Sequence, residues 1–179
     1  MTSTRRMLVI VEVVLAFGGS FFLILARPGW KRGIAPSSTP SLIEDGLYMG
    51  GHVAKPPPGT NAVLNLCEIE DPYEAEHHSW AQIEDSPPAP DLRWLRRQVE
   101  FVDARRKAGD TVYVHCAAGA SRSGMVVVAY LMRKNGWTRD EALKFVRSKR
   151  PVTEPNPAFM ERLRDWQDEL RQEQRPNSR

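Results

Sequence analysis

Cys116 and Arg122 are the two residues of this chain best suited to covalent chemistry. They stand six residues apart in His115-Cys116-Ala117-Ala118-Gly119-Ala120-Ser121-Arg122-Ser123-Gly124. A cysteine attacks only as its thiolate, and a thiolate is favoured where a helix N-terminus offers its positive dipole end and unpaired N–H groups. An arginine that folds back over the same loop presents a planar two-pronged donor to a phosphate. The small residues between them let the backbone curl so that its N–H groups converge on an anion. These types at this spacing point to thiolate attack on a phosphoester.

Such a loop has to be held by a strand before it and a helix after it. Thr111-Val112-Tyr113-Val114 is a β-branched run, and Met125 to Met132 (MVVVAYLM) is an apolar run. That order reads as strand, loop, helix. The helix has little polar face, so it is expected to be the central buried helix, ending at Asn135-Gly136.

The remaining elements follow from local signals. Ile43 to Gly50 contains a turn and a short strand, and Lys55 to Gly59 (KPPPG) is a rigid loop. Ala62 to Cys67 reads as a buried strand. Residues 68–79 are acidic and read as a loop or short helix, with His77-His78 near its end. Ser79 to Ile83 fits a further strand, and residues 85–90 form a proline-stiffened loop. Asp91 caps a helix whose stripe is Leu92, Leu95, Val99 and Val102, ended by Gly109. Its arginines read as a solvated face. Thr138 and Glu141 form a capping box for a helix to Lys149. Asn156 caps a last helix with Pro157 at its first position and Phe159, Leu163, Trp166 and Leu170 as its stripe. Strands alternating with helices give an α/β domain with a mostly parallel central sheet flanked by helices. The Cys116 loop then falls at the carboxyl end of a strand, where such sheets bind ligands.

Composition narrows the class. The chain has 179 residues, of which 41% are hydrophobic, enough for one domain with a sizeable core. Its formal charge of +3 is spread among acidic residues, which is not the balance of a dedicated nucleic-acid binder. Two cysteines, Cys67 and Cys116, make neither a disulfide framework nor a Cys-rich zinc site. The adjacent pair His77-His78 lacks a third ligand at suitable spacing, so no metal and no cofactor is expected.

Leu8 to Ala26 is almost unbroken apolar sequence, interrupted only by Glu12. As a helix it spans about 28 Å, close to a hydrocarbon core. Residues 1–26 therefore read as an N-terminal membrane anchor and 27–41, rich in Pro, Gly and Ser, as a linker. The domain is expected over 42–172 and a disordered tail over 173–179. A working Cys116 must be kept reduced, which favours a cytoplasmic catalytic domain on a single-pass membrane protein.

His115-Cys116-x5-Arg122-Ser123 resembles the signature of the cysteine-dependent protein tyrosine phosphatase superfamily. The Ala-Tyr-Leu-Met after the loop, Arg150-Pro151 with Pro155-Asn156, Phe159 and Leu163, and Gly46 to Gly50 and Val63 to Leu66 upstream, resemble its dual-specificity branch. The resemblance implies Cys116 as nucleophile, with formation of a phosphocysteine. It implies Arg122 as the transition-state clamp, and the backbone of Ala117, Ala118, Gly119, Ala120, Ser121 and Arg122 as the phosphate cradle. Ser123 would stabilise the thiolate, and His115 would fix the loop from behind and tune the thiol. The acid that protonates the leaving oxygen precedes the Cys loop by one helix in the family, which implies Asp85, with Glu84 and Asp91 as rivals. Cys67 would be a reversible disulfide partner of Cys116, as in some members. The implied substrate is a phosphoprotein. A phospholipid monophosphate is the alternative, and a catalytically silent phosphate-binding module is the alternative of another class. Lysines common in the cradles of relatives acting on highly phosphorylated inositol lipids are replaced here by Ala117, Ala118 and Ala120.

Overall fold

The computed structural model describes residues 38–174. In chain order these form β1 (Ser41–Glu44), β2 (Leu47–Gly50), β3 (Thr60–Asn65), β4 (His77–Trp80), α1 (Leu92–Lys107), β5 (Thr111–His115), α2 (Arg122–Asn135), α3 (Arg139–Lys149) and α4 (Pro157–Glu173). The expected anchor at 8–26 and most of the linker lie outside the described residues. Among the described residues no helix is long and apolar enough to cross a membrane.

The strand that leads into Cys116 is the middle one. The sheet order is β1-β2-β5-β3-β4. β5 runs parallel to β2 and β3, β3 runs parallel to β4, and only the β1–β2 hairpin is antiparallel. The sheet is thus mixed, its antiparallel part confined to one edge. Val112, Tyr113, Val114 and His115 are all buried, as a strand covered on both faces requires. Asn61 pins the start of the pairing: its Nδ2 donates to Asp110 (2.9 Å) and its Oδ1 accepts from Thr111 N (2.8 Å). In register, Gly50 and Asn65 flank His115, and Trp80 lies opposite Asn65. The carboxyl ends of four strands therefore converge on one edge, where Cys116 follows.

α2 is the central helix, with Met125 to Met132 all buried. It packs against α1, α3 and α4 and against β5 and β2. α4 buries the expected stripe of Phe159, Leu163, Trp166 and Leu170, and Trp166 Nε1 donates to Ala129 O at 3.1 Å. The caps are as expected: Asp91 accepts from Trp94 N, Thr138 and Glu141 form both bonds of a capping box, and Asn156 accepts from Phe159 N. Gly136 ends α2 in the left-handed conformation, φ 67°.

One element is displaced. The fourth strand is His77–Trp80 and not Ser79 to Ile83, so both histidines are strand residues and not loop residues. The shift comes from parallel pairing with β3, which sets Ala62 against His77 and Asn65 against Trp80. Local propensity carries no trace of that pairing. Residues 68–76 form a loop without a helix.

Candidate active site

The loop from Cys116 to Ser121 joins β5 to α2, and the carbonyls of Ala117 to Ser121 are all hydrogen-bonded. Ala117 O accepts from His52 N (3.1 Å), Ala120 O from Glu154 N (3.0 Å) and Ser121 O from Met125 N (2.9 Å). Arg150, buried beneath the loop, donates from Nε to Gly119 O (2.6 Å) and from Nη2 to Ala118 O (3.2 Å). With these five successive carbonyls engaged, the N–H groups of Ala117 to Ser121 make no hydrogen bond among the described residues. They are left to meet an anion, as a nest does. Gly119 adopts φ +67°, and a Cβ there would collide with the backbone of Gly50 and Gly51.

Cys116 is 1% exposed at the base of this cradle. Its Sγ lies 3.4 Å from Ser123 Oγ, within hydrogen-bond reach for sulfur. Arg122, the first residue of α2, is buried, and its Nη1 donates to Glu68 Oε2 (2.6 Å) and Ile83 O (3.3 Å). Its Nε is buried without a hydrogen-bond partner, 3.9 Å from Asp85 Oδ2. Burial alone would weaken Arg122's hold on its proton. The Glu68 carboxylate outweighs it, helped by Cys116 and Asp85, so the guanidinium is pushed up. Glu68 is correspondingly pushed down by its bond to Arg122.

Asp85 reaches the same cradle. Its Oδ1 accepts from Ser121 Oγ (2.6 Å) and Asn156 Nδ2 (2.9 Å), and Asn156 N donates to Ser121 Oγ (3.0 Å). Asn156 therefore does two jobs, capping α4 through Oδ1 and holding Asp85 through Nδ2. The rivals stand elsewhere. Asp91 is the α1 cap, and Glu84 accepts from Ser86 Oγ at 3.2 Å.

His115 is fully buried behind the cysteine. Its Nε2 lies 3.1 Å from Asp71 Oδ2, and its ring stacks on Tyr113 at 5.0 Å between centroids. Asp71 is almost completely buried and also accepts from His78 Nε2 (2.9 Å) and Asn65 Nδ2 (3.1 Å). Burial pushes the Asp71 carboxyl up, but hydrogen bonds from His115 and His78 and the nearness of His115 more than reverse this, holding it at about 2. An ionised carboxylate only accepts, so His115 donates Nε2–H to it.

A folded pKa below the unfolded value means Asp71 contributes stability that is complete above about pH 4 and lost as pH falls toward 2. Asp71→Asn is expected to remove about 2 kcal/mol and lower the melting temperature by about 5–10 °C, because the amide turns an N–H toward a histidine donor. Thermal melts of the variant at neutral and acid pH check this: the deficit at pH 7 should shrink below about pH 4.

Cys67 is buried, with Sγ donating to Asn65 Oδ1 (3.1 Å) and Ile69 O (3.6 Å), and burial pushes its thiol up. Both cysteines are free thiols.

The arrangement thus brings together Cys116, Arg122, Ser123, Asp85 and the cradle backbone, with His115 directly behind. A buried thiol, a converging set of N–H donors, a guanidinium and a carboxyl at the mouth can accept a phosphate ester, attack its phosphorus and protonate the leaving oxygen. Four residues were not legible as site residues in the sequence: Glu68, Asp71, Arg150 and, for its hold on Asp85, Asn156. In the sequence Asn156 was legible as a helix cap, and Arg150 and Asn156 as residues of the family resemblance.

The family model for the dual specificity phosphatase catalytic domain matches residues 58–169. Over 141 residues the chain is 34% identical to Dual specificity protein phosphatase 1 of Arabidopsis thaliana, covering 74% of this chain and 71% of that one. It is also 34% identical over 114 residues to the Homo sapiens protein of the same name, but spans only 31% of that protein's length. The crystal structure of human DUSP28 superposes with a TM-score of 0.66 at 26% identity, covering 74% of this chain and 95% of that one. The chain belongs to the dual specificity phosphatase family, within the cysteine-dependent protein tyrosine phosphatase superfamily.

Proposed function

We propose that the chain is a phosphomonoesterase that acts on phosphoproteins, phosphotyrosine among their residues, through a phosphocysteine on Cys116. The observation that carries this is the convergence of Cys116, the unpaired Nε of Arg122 and Asp85 on one cradle. The ester's phosphate enters the N–H nest, and the Cys116 thiolate forms the S–P bond as the P–O bond breaks. Asp85, protonated, gives its proton to the departing oxygen. In the second step Asp85 takes a proton from water, whose oxygen displaces the thiolate. Ser123, 3.4 Å from Sγ, donates to the sulfur as it leaves. Arg122 and the N–H groups hold the equatorial oxygens throughout. The apolar stretch 8–26 tethers this domain to a membrane with the domain on the cytoplasmic side. Its length and composition support that reading, and protease protection of sealed vesicles tests it.

Asp85→Asn keeps the bonds to Ser121 and Asn156 within reach but has no proton to give. Turnover of a phosphotyrosine peptide is expected to fall about 10²-fold, less for an aryl phosphate with a good leaving group. A loss carried instead by Glu84→Gln would overturn the assignment. The substrate class is tested by a panel of phosphotyrosine and phosphoserine peptides against a phospholipid monophosphate in micelles. Higher kcat/KM on peptides supports the proposal, and higher kcat/KM on the lipid overturns it.

A further inference from the structure

Resting on the phosphoprotein reading above, we infer that the site selects phosphorylated segments with Arg or Lys beside the phosphoresidue, and that Glu68 and Trp80 read those cations. Glu68 grips Arg122 by Nη1 alone, while its own side chain is 57% exposed. The buried Nε of the same guanidinium has no hydrogen-bond partner, and Arg122 as a whole is only 7% exposed. A phosphate that takes the Nε edge need not displace Glu68. The carboxylate then stands beside the bound phosphate with its outer lone pairs facing solvent, where a substrate cation can meet them.

Charge around the mouth points the same way. Residues 66–72, after β3, and 81–92, after β4, contain six Asp or Glu and no Lys or Arg. Both stretches leave the sheet at the edge that carries Cys116. Asp71 is buried, Asp91 caps α1 and Asp85 lies in the cradle, but Glu68, Glu70 and Glu84 are exposed. A single phosphate is offset by Arg122 and the N–H nest. A second anionic group on the substrate meets the exposed carboxylates of Glu68, Glu70 and Glu84 on this side and is repelled.

Trp80 completes the reader. Its Nε1 donates to Cys67 O at 2.7 Å, which fixes the indole beside the residue that precedes Glu68. The side chain is nonetheless among the most exposed large apolar groups, at 46%, together with Ile69 at 47%. An indole face suits a guanidinium or ammonium, and Ile69 suits the aliphatic stem of the same residue.

The test uses the full chain and two phosphotyrosine peptides of equal length, one flanked by Arg and Lys, the other by Asp and Glu. At low ionic strength kcat/KM is expected to favour the basic peptide about tenfold, and the preference should shrink several-fold near 0.5 M salt. Glu68→Lys should invert the preference, and Trp80→Leu should cut it about threefold. Glu70→Lys with Glu84→Lys, which leaves Arg122's contacts intact, should reduce it several-fold even if Glu68→Lys is inactive. Equal rates on both peptides in the wild type, or a ratio unmoved by the Glu70/Glu84 pair, overturn the selectivity and leave the phosphatase reading standing. No turnover of either peptide, with a lipid monophosphate hydrolysed, overturns the phosphoprotein reading and this inference together.

Discussion

Cys116→Ser is expected to abolish turnover of an aryl phosphate, by about 10⁴-fold or more, without unfolding the domain. The side chain is buried at 1% exposure, and its Sγ lies 3.4 Å from Ser123 Oγ, a contact a hydroxyl also makes. The change is close to isosteric, so the packing of the core cluster that includes Cys116 should survive. What disappears is the nucleophile. An alcohol is not ionised at neutral pH and is a far weaker nucleophile than a thiol. The same N–H groups remain, so the variant should still bind a phosphate ester and trap it. Steady-state kinetics with a parallel thermal melt separates these outcomes. A variant that melts normally and retains activity would mean that the ester is hydrolysed by another group. A wild type that binds aryl phosphate and never turns it over would favour a silent phosphate-binding module.

Arg122→Lys is the second large effect, expected at about 10³-fold in kcat/KM, most of it in kcat. Charge is conserved, so a merely electrostatic role would leave activity nearly intact. The guanidinium is instead a fork: Nη1 is held by Glu68 and Ile83 O, which orients the plane, and Nε is left for the phosphate edge. An ammonium offers no second donor in that plane. Anchored by Glu68, it would be drawn away from the cradle. The equatorial oxygens carry most charge in the transition state, so the loss falls on kcat more than on KM. Near-wild-type kcat in Arg122→Lys would contradict the bidentate role.

What the sequence made legible is what is locally encoded. The β5–loop–α2 junction follows from a β-branched run, six small or chemical residues and an apolar run. The caps at Asp91, Thr138 and Asn156 and the α4 stripe need no more than four residues of context. Asp85 is the exception among distant residues, found through the family resemblance and held by Ser121 across 36 positions. The supports that escaped notice are long-range polar contacts without periodicity. His115 meets Asp71 across 44 residues, Arg122 meets Glu68 across 54 and Arg150 meets Gly119 across 31. Asp71 and Glu68 read as part of an acidic loop or short helix, and only the pairing of β3 with β4 and β5 decides which carboxylate turns inward. The placing of His77 and His78 on β4 has the same origin.

The most direct measurement is an acid quench of the enzyme during turnover of an aryl phosphate, followed by peptide mass analysis. Asp85→Asn is the form to use, since the missing base slows hydrolysis and lets the intermediate accumulate. One phosphoryl group is expected on the peptide containing Cys116, and none on that peptide from Cys116→Ser. A phosphoryl group on another residue, or steady turnover with Cys116 never modified, would contradict the phosphocysteine mechanism.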